Sequence, residues 1–145
     1  MIKSILGVIV GYLAMLATVF ITLTTSYYLL GVERTFKPDS YDVTLVWVFV
    51  MLLFSVLAAF IGGSVCRLIS GKTRAMIPLA AFVLVLGLVS AVATILASEV
   101  PVTRGGDVSN QQAMMNAQLP GWAALLLPVL CAAGVVLGGR KRSES

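Results

Sequence analysis

Histidine is absent from the 145-residue sequence, cysteine occurs only twice, and charged residues make up only 11% of the chain. Without histidine, Ser-His and Cys-His nucleophile pairs and histidine-ligated haem are excluded, and two cysteines fall short of the roughly four ligands of a zinc site. An average soluble domain is about a quarter charged. The low charge, together with 59% hydrophobic residues, excludes disorder, nucleic-acid binding and a soluble fold, and it indicates an integral membrane protein.

Four long stretches carry no charged residue: residues 4–32, 43–66, 75–98 and 108–139. A helix of about 20 apolar residues crosses the ~30 Å hydrocarbon core, so each stretch is long enough for one crossing. Backbone groups in lipid must bond within their own segment, which favours helices. We therefore expect one all-α domain over residues 1–145, a bundle of four transmembrane helices near residues 2–30, 43–68, 76–97 and 122–139.

Three residues predict how these helices begin, end or bend. We expect Gly31 to stop the first helix, Asp42 to cap the start of the second, and Pro128 to kink the fourth. The uncharged segment 109–118 precedes the last helix. It is expected to form either a short interfacial helix or a plain connecting loop.

Lysine and arginine are distributed unequally between the two sides of the expected bundle. Three lie on the side of the long loops, namely Arg34, Lys37 and Arg104, and seven on the side of the termini, namely Lys3, Arg67, Lys72, Arg74, Arg140, Lys141 and Arg142. The positive-inside rule therefore places both termini in the cytoplasm. Five aromatic residues lie near the opposite ends of the helices, where such rings anchor at a membrane surface, and they predict the same topology: Tyr27, Tyr28, Tyr41, Trp47 and Trp122.

Small residues recur at steps of three and four along each expected helix. In a membrane, lipid competes with large apolar side chains, so helices associate through small residues that let their backbones approach. The candidate positions for helix packing or partner contact are Gly7, Gly11, Ala59, Gly62, Gly87, Gly134 and Gly138. Packing within the chain is favoured over contact with another chain.

Charged residues occur in the expected spans only at their ends on the terminal side, as Lys3 and Arg67, and this argues against a proton relay or an ion pathway. We therefore expect no enzyme activity, no catalytic residue, no metal and no cofactor. Gly71-Lys72-Thr73 is similar to the end of a phosphate-binding loop, but Cys66 stands where that loop needs its first glycine, and no nucleotide is expected.

Hydroxyl side chains form a stripe along the outer half of the first expected helix, at Thr18, Thr22, Thr25 and Ser26. Such a stripe either lines a polar cavity or bonds to a neighbouring helix or to carbonyls of its own helix. We favour a role in packing. Six basic residues on the terminal side are expected to contact anionic lipid, each gaining roughly 1 kcal/mol: Arg67, Lys72, Arg74, Arg140, Lys141 and Arg142.

Two segments carry a resemblance to known proteins: Ala59-Phe60-Ile61-Gly62-Gly63-Ser64 at the end of one helix and Met114-Met115-Asn116-Ala117-Gln118-Leu119-Pro120 before the last. Together with the four-helix pattern, they resemble small uncharacterised bacterial inner-membrane proteins. The resemblance implies a place in the bacterial cytoplasmic membrane and no particular activity.

By elimination, we expect a non-enzymatic accessory or structural subunit of a larger membrane complex. Its partners would be membrane lipids and other membrane-protein subunits or a second copy of the chain, and neither nucleic acid nor nucleotide. The alternative is a small channel or facilitator for a neutral or lipid-like solute, with the hydroxyl stripe of the first helix and the Pro128 kink as its pathway.

Overall fold

Regular structure in the described part of the chain is helical. The computed structural model describes residues 2–38, 41–97 and 117–140. Four helices run over Ile2–Thr35 (α1), Leu45–Ser70 (α2), Met76–Ala97 (α3) and Gly121–Gly139 (α4), and a 3-10 turn at Thr73–Ala75 leads into α3. All four helices are long and apolar enough to cross a membrane, so the expected all-α architecture with four such helices is confirmed. Most of segment 109–118 lies outside the described residues.

Gly31 interrupts α1 close to its end. Its backbone takes φ 73° and ψ 171°, a conformation open to glycine because glycine carries no Cβ. The helix then resumes for one short turn, and Thr35 Oγ1 donates a hydrogen bond to the Gly31 carbonyl oxygen at 2.8 Å. The helix therefore breaks where a stop was expected, but the chain stays helical as far as Thr35.

Thr44, and not Asp42, caps the start of α2. Thr44 Oγ1 accepts the backbone N–H of Trp47 at 3.3 Å, and its own hydroxyl donates to the Arg34 carbonyl oxygen at 2.6 Å. The prediction of Asp42 as the cap is wrong, because α2 begins at Leu45 and Asp42 precedes it by too many residues. The Asp42 carboxylate instead faces Lys37 Nζ at 3.5 Å, in an exposed ion pair.

α1 and α2 approach each other through glycines on both helices. A Cβ on Gly11 would lie 2.7 Å from the Gly62 carbonyl oxygen, and a Cβ on Gly62 would lie 2.8 Å from the Gly11 carbonyl oxygen. Nearer the start of α1, a Cβ on Gly7 would lie 2.8 Å from the Cys66 carbonyl oxygen. Since real Cβ contacts almost never fall below 3.0 Å, the two backbones touch where no side chain would fit.

Another side of α2 packs on α4 through a second set of glycines. A Cβ on Gly63 would overlap the Val135 carbonyl group, and a Cβ on Gly138 would overlap the Phe60 carbonyl group. Successive residues of an α-helix point about 100° apart around its axis. The adjacent residues Gly62 and Gly63 therefore open two different sides of α2, one to α1 and one to α4.

α4 packs in turn on α3. A Cβ on Gly87 would lie 2.7 Å from Pro128 Cβ, and a Cβ on Gly139 would lie 2.6 Å from Met76 Sδ. The helices thus stand in the spatial order α1, α2, α4, α3. Although a short link joins α2 to α3, the main packing partner of α3 is α4.

An aromatic cluster closes one end of this row. The rings of Tyr27 and Trp47 stand edge to face with centroids 5.9 Å apart, and the Phe36 ring lies 6.4 Å from that of Tyr27. The segment before α4 joins the cluster, since the Gln118 N–H donates to the Tyr41 carbonyl oxygen at 2.9 Å. We call this end the aromatic end. The opposite end, which we call the basic end, carries Lys3, Arg67, Lys72, Arg74 and Arg140.

Alanine at either central glycine of α2 tests the close packing. We expect Gly62→Ala and Gly63→Ala each to lower the free energy of unfolding by about 1–3 kcal/mol, because the new methyl group forces two backbones apart. The measurement is the unfolding of the purified chain in detergent micelles by SDS titration, followed by far-ultraviolet circular dichroism.

Gly121→Ala is the matched control, because a Cβ there would meet Ile95 at an ordinary 3.7 Å. Alanine is also the better helix former by about 1 kcal/mol, so this variant should be at least as stable as the wild type. Wild-type stability of both Gly62→Ala and Gly63→Ala would contradict the packing described above.

Candidate functional site

The seven residues predicted for packing or partner contact lie at three helix interfaces. Gly7, Gly11 and Gly62 lie between α1 and α2, Ala59, Gly134 and Gly138 between α2 and α4, and Gly87 between α3 and α4. A Cβ on Gly134, for example, would come within 3.0 Å of Ala59 Cβ. Because these residues face other helices of the same chain, a surface for a partner has to be sought elsewhere.

α1 and α3 stand at the two ends of the row. Residues of both helices line a cavity of about 620 Å³, which we call the α1/α3 cleft. Pockets for small molecules fall in the same range, ~300–1,000 Å³. The described residues that line the cleft come from all four helices and from the segment before α4: Tyr12, Met15, Leu16, Val19, Ser55, Val83, Leu86, Gly87, Ser90, Ala91, Thr94, Ala117, Leu119, Ala124, Leu127, Pro128 and Cys131.

Contacts on the side of the basic end close the floor of the α1/α3 cleft. The ring of Tyr12 on α1 stands edge to face with that of Phe82 on α3, with centroids 5.2 Å apart and an interplanar angle of 80°. Deeper still, Leu79 Cδ2 lies 3.2 Å from the position of a Cβ on Gly11, and Leu79 is fully buried. α1 and α3 therefore meet at the floor of the cleft.

The chemistry of the cleft is apolar with a few hydroxyl groups. None of the described lining residues is Lys, Arg, Asp or Glu, and the hydroxyl groups come from Tyr12, Ser55, Ser90 and Thr94. Thr94 Oγ1 donates to the Ser90 carbonyl oxygen at 2.9 Å. Such a cavity can hold an apolar group, but its described lining has no carboxylate or imidazole to take up a proton and no carboxylates to bind a cation.

The hydroxyl stripe of α1 bonds within its own helix. Thr18 Oγ1 donates to the Ala14 carbonyl oxygen at 2.8 Å, Thr22 Oγ1 to that of Thr18 at 2.7 Å, and Ser26 Oγ to that of Thr22 at 2.7 Å. These bonds satisfy the hydroxyl protons inside α1. Thr18, Thr22 and Ser26 do not line the α1/α3 cleft, so the stripe gives no support to a polar pathway there.

Two of the six predicted lipid-contact residues come together at the basic end. Arg67 Nη1 donates to the Arg140 carbonyl oxygen at 2.8 Å. Both arginines line a groove of about 710 Å³ between α2 and α4, which we call the basic groove. Lys72 and Arg74 lie exposed between α2 and α3 and do not line it. Residues 141 and 142 lie outside the described part of the chain.

The two cysteines are buried, free and packed between helices. Cys66 Sγ lies 3.5 Å from the Ala75 carbonyl oxygen, and Cys131 Sγ lies 3.8 Å from that of Ser55. Each thiol thus packs against a backbone carbonyl and not against the other thiol. Over residues 2–38, 41–97 and 117–140, the structure holds no group of three or more histidine, cysteine or carboxylate side chains placed to hold a metal ion.

Sequence reasoning missed the α1/α3 cleft and part of the glycine packing. Pro128, which was predicted to kink the fourth helix, packs against Gly87 and lines the cleft. Gly63 and Gly139 were not among the predicted packing residues, although each directly follows one that was. The signal available for them was the adjacent glycine pair, which opens two sides of one helix about 100° apart.

Comparisons with known proteins found no matching family model, no matching curated protein and no matching solved structure. The resemblance to small bacterial inner-membrane proteins therefore stays a prediction. The function has to be argued from the geometry of the chain itself.

Leucine at two nearby positions of α3 tests whether the cleft is open. Gly87→Leu should lower the free energy of unfolding by at least about 2 kcal/mol, because its side chain must displace Pro128. Ser90→Leu should change it by less than about 0.5 kcal/mol, because Ser90 is exposed and faces the cleft. SDS titration in detergent micelles measures both. An equally large loss for Ser90→Leu would show that the cleft is filled.

Proposed function

We propose that the chain is an integral protein of the bacterial cytoplasmic membrane, with its basic end in the cytoplasm, and that it serves as a non-enzymatic accessory or structural subunit of a larger membrane complex. The α1/α3 cleft is the observation that carries the proposal. It receives a transmembrane helix of another subunit, which presents large apolar side chains to it.

Exposed apolar side chains support the membrane part of the proposal. All four helices expose large apolar residues, with Phe20 at 73% and Phe49 at 70% exposure as examples. Soluble monomers rarely expose contiguous apolar patches above a few hundred Å², whereas lipid covers such a surface without cost. The grouping of Lys3, Arg67 and Arg140 at one end supports the orientation, because basic residues stay on the cytoplasmic side.

The wall that α3 contributes to the cleft supports a helical partner. Ser90, Ala91 and Thr94 are small or carry hydroxyl groups, and they follow one another along the cleft side of α3. Residues of this kind allow a second helix to approach closely in lipid and to form weak polar contacts with it. The predicted glycines, in contrast, are already enclosed between helices of the chain, so the cleft is the place left for another subunit.

Tryptophan substitutions on opposite sides of α3 test this assignment. The chain is extracted from its native membrane in mild detergent, and native mass spectrometry identifies the proteins that co-purify with it. The wild type should carry other membrane subunits, and Ser90→Trp should reduce that association at least about tenfold, because it fills the cleft. Val92→Trp is the matched control, since Val92 is exposed and points about 200° around the helix from Ser90.

Two outcomes would overturn the assignment. A chain that is only monomeric or self-assembled at every detergent strength is not an accessory subunit. If Ser90→Trp keeps its partner as well as Val92→Trp does, the partner does not occupy the α1/α3 cleft.

A facilitator for a small neutral or lipid-like solute is the second candidate function. The size and uncharged lining of the cleft favour it, and Pro128, proposed from sequence as part of such a pathway, does line the cavity. The other proposed members of the pathway, Thr18 and Thr22, do not. A pathway through the chain would therefore follow the cleft and not the hydroxyl stripe of α1.

Glycerol uptake by proteoliposomes, followed by stopped-flow light scattering, tests the facilitator. Ser90→Trp should lower the uptake at least about threefold by filling the cleft, while the double variant Thr18→Val with Thr22→Val should leave it unchanged, because both hydroxyls bond within α1. Uptake no faster than that of protein-free vesicles would contradict a pathway for this solute.

A further inference from the structure

We propose that the basic groove binds one anionic phospholipid, with the lipid phosphate on Arg67 and Arg140 and an acyl chain along α2 and α4. This site is more specific than a general attraction of basic residues to headgroups. It rests on the proposed membrane embedding, but not on the role as an accessory subunit.

The groove has the shape of a headgroup site that continues into an apolar channel. Phe60, Ser64 and Arg67 follow one another at steps of four and three residues, so they lie on one face of α2. At ~1.5 Å per residue, Phe60 lies about 10 Å along the helix from Arg67. Leu137 on α4 and Arg140, which directly follows α4, line the opposite wall. Each wall therefore carries an arginine at the basic end and an apolar side chain deeper along the helix.

The apolar walls of the groove are exposed in the isolated chain. Phe60 is 48% and Leu137 is 55% exposed, although both line a cavity of about 710 Å³. The floor between them is closed, since Gly138 packs on the Phe60 carbonyl and Ser64 Oγ donates to the Gly138 carbonyl oxygen at 3.0 Å. A linear hydrocarbon chain fits such a shallow groove and covers both apolar side chains.

The charge of the groove is unbalanced among the described residues. Arg67 uses one N–H group on the Arg140 carbonyl oxygen, and a guanidinium has five N–H donors. Among the side chains that the structure describes, that of Asp42 is the only carboxylate. It lies at the aromatic end beside Lys37 and not near the groove. Arg67 and Arg140 are the two charged residues that line the groove, and arginine binds a phosphate with paired hydrogen bonds.

The Arg67–Arg140 bond also fixes the geometry of the site. It joins the end of α2 to the residue that follows α4, so the Arg67 guanidinium is held at the groove before any lipid binds. Pre-organised donors lose less freedom on binding than mobile side chains do. The exposed Lys72 and Arg74 carry the same charges near the same end but do not line the groove.

The test uses the full chain, purified in detergent and stripped of lipid, and titrates it with phosphatidylglycerol or phosphatidylcholine in native mass spectrometry. We expect one phosphatidylglycerol to bind at least about tenfold more tightly than phosphatidylcholine. The double variant Arg67→Gln with Arg140→Gln should weaken that binding at least about tenfold. The double variant Lys72→Gln with Arg74→Gln loses the same charge and should stay within about twofold of the wild type.

Arg140→Gln alone keeps the test decisive if the loss of Arg67 disturbs folding. The Arg140 carbonyl oxygen is a backbone atom, so the hydrogen bond from Arg67 remains in this variant. Binding of phosphatidylglycerol should still weaken about fivefold, because one basic side chain is lost. Glycerol phosphate and inorganic phosphate, which lack acyl chains, should not displace the bound lipid at millimolar concentration.

Three results would overturn the site: equal losses in the two double variants, equal affinity for the two lipids, or displacement of the lipid by glycerol phosphate. Membrane embedding is measured separately, by the retention of the chain in membranes washed with alkaline carbonate. A chain that is retained but binds lipid without preference disproves the site and leaves the proposed membrane location intact.

Discussion

Two adjacent glycines near the middle of α2 face two different helices, Gly62 toward α1 and Gly63 toward α4. At both contacts a backbone carbonyl occupies the space where a side chain would begin. Lipid offers no hydrophobic force that drives helices together, so dispersion contacts of this kind, made at the closest possible distance, stabilise a membrane bundle. The position of α2 between α1 and α4 depends on these two backbone contacts, and α2 is the helix around which the others are arranged.

The order α1, α2, α4, α3 follows from this central position. α2 offers its glycine sides to α1 and α4, and α3 is therefore held mainly by α4, through Gly87 on Pro128 and Gly139 on Met76. α1 and α3 then lie at the free ends of the row, and they meet at the floor formed by Tyr12 and Phe82. α2 and α4 each carry glycines that face two helices, and they therefore occupy the middle of the row. The α1/α3 cleft is a consequence of this arrangement.

The number of helices and their approximate positions could be predicted from sequence, because charge and length decide which segments can cross a membrane. The break at Gly31 could be predicted as well, since only the backbone of one residue is involved. The cap at Thr44 was misplaced at Asp42, because both residue types favour caps and only the geometry selects between them. The spatial order of the helices, and with it the cleft and the basic groove, depends on long-range contacts that no local pattern contains.

The use of small residues inside the chain limits the surfaces on which the proposed partners could bind. A row of small residues on a membrane helix allows one neighbouring helix to approach closely. Gly11, Gly62 and Gly134 already face such a neighbour within the chain. What remains outside this packing differs between the two ends: an uncharged cleft with hydroxyl groups toward the aromatic end and a groove with two arginines at the basic end. The first surface suits an apolar helix, because an uncharged lining offers no partner to a charged group. The second suits an anionic headgroup, because arginine side chains bind phosphate with charge-assisted hydrogen bonds.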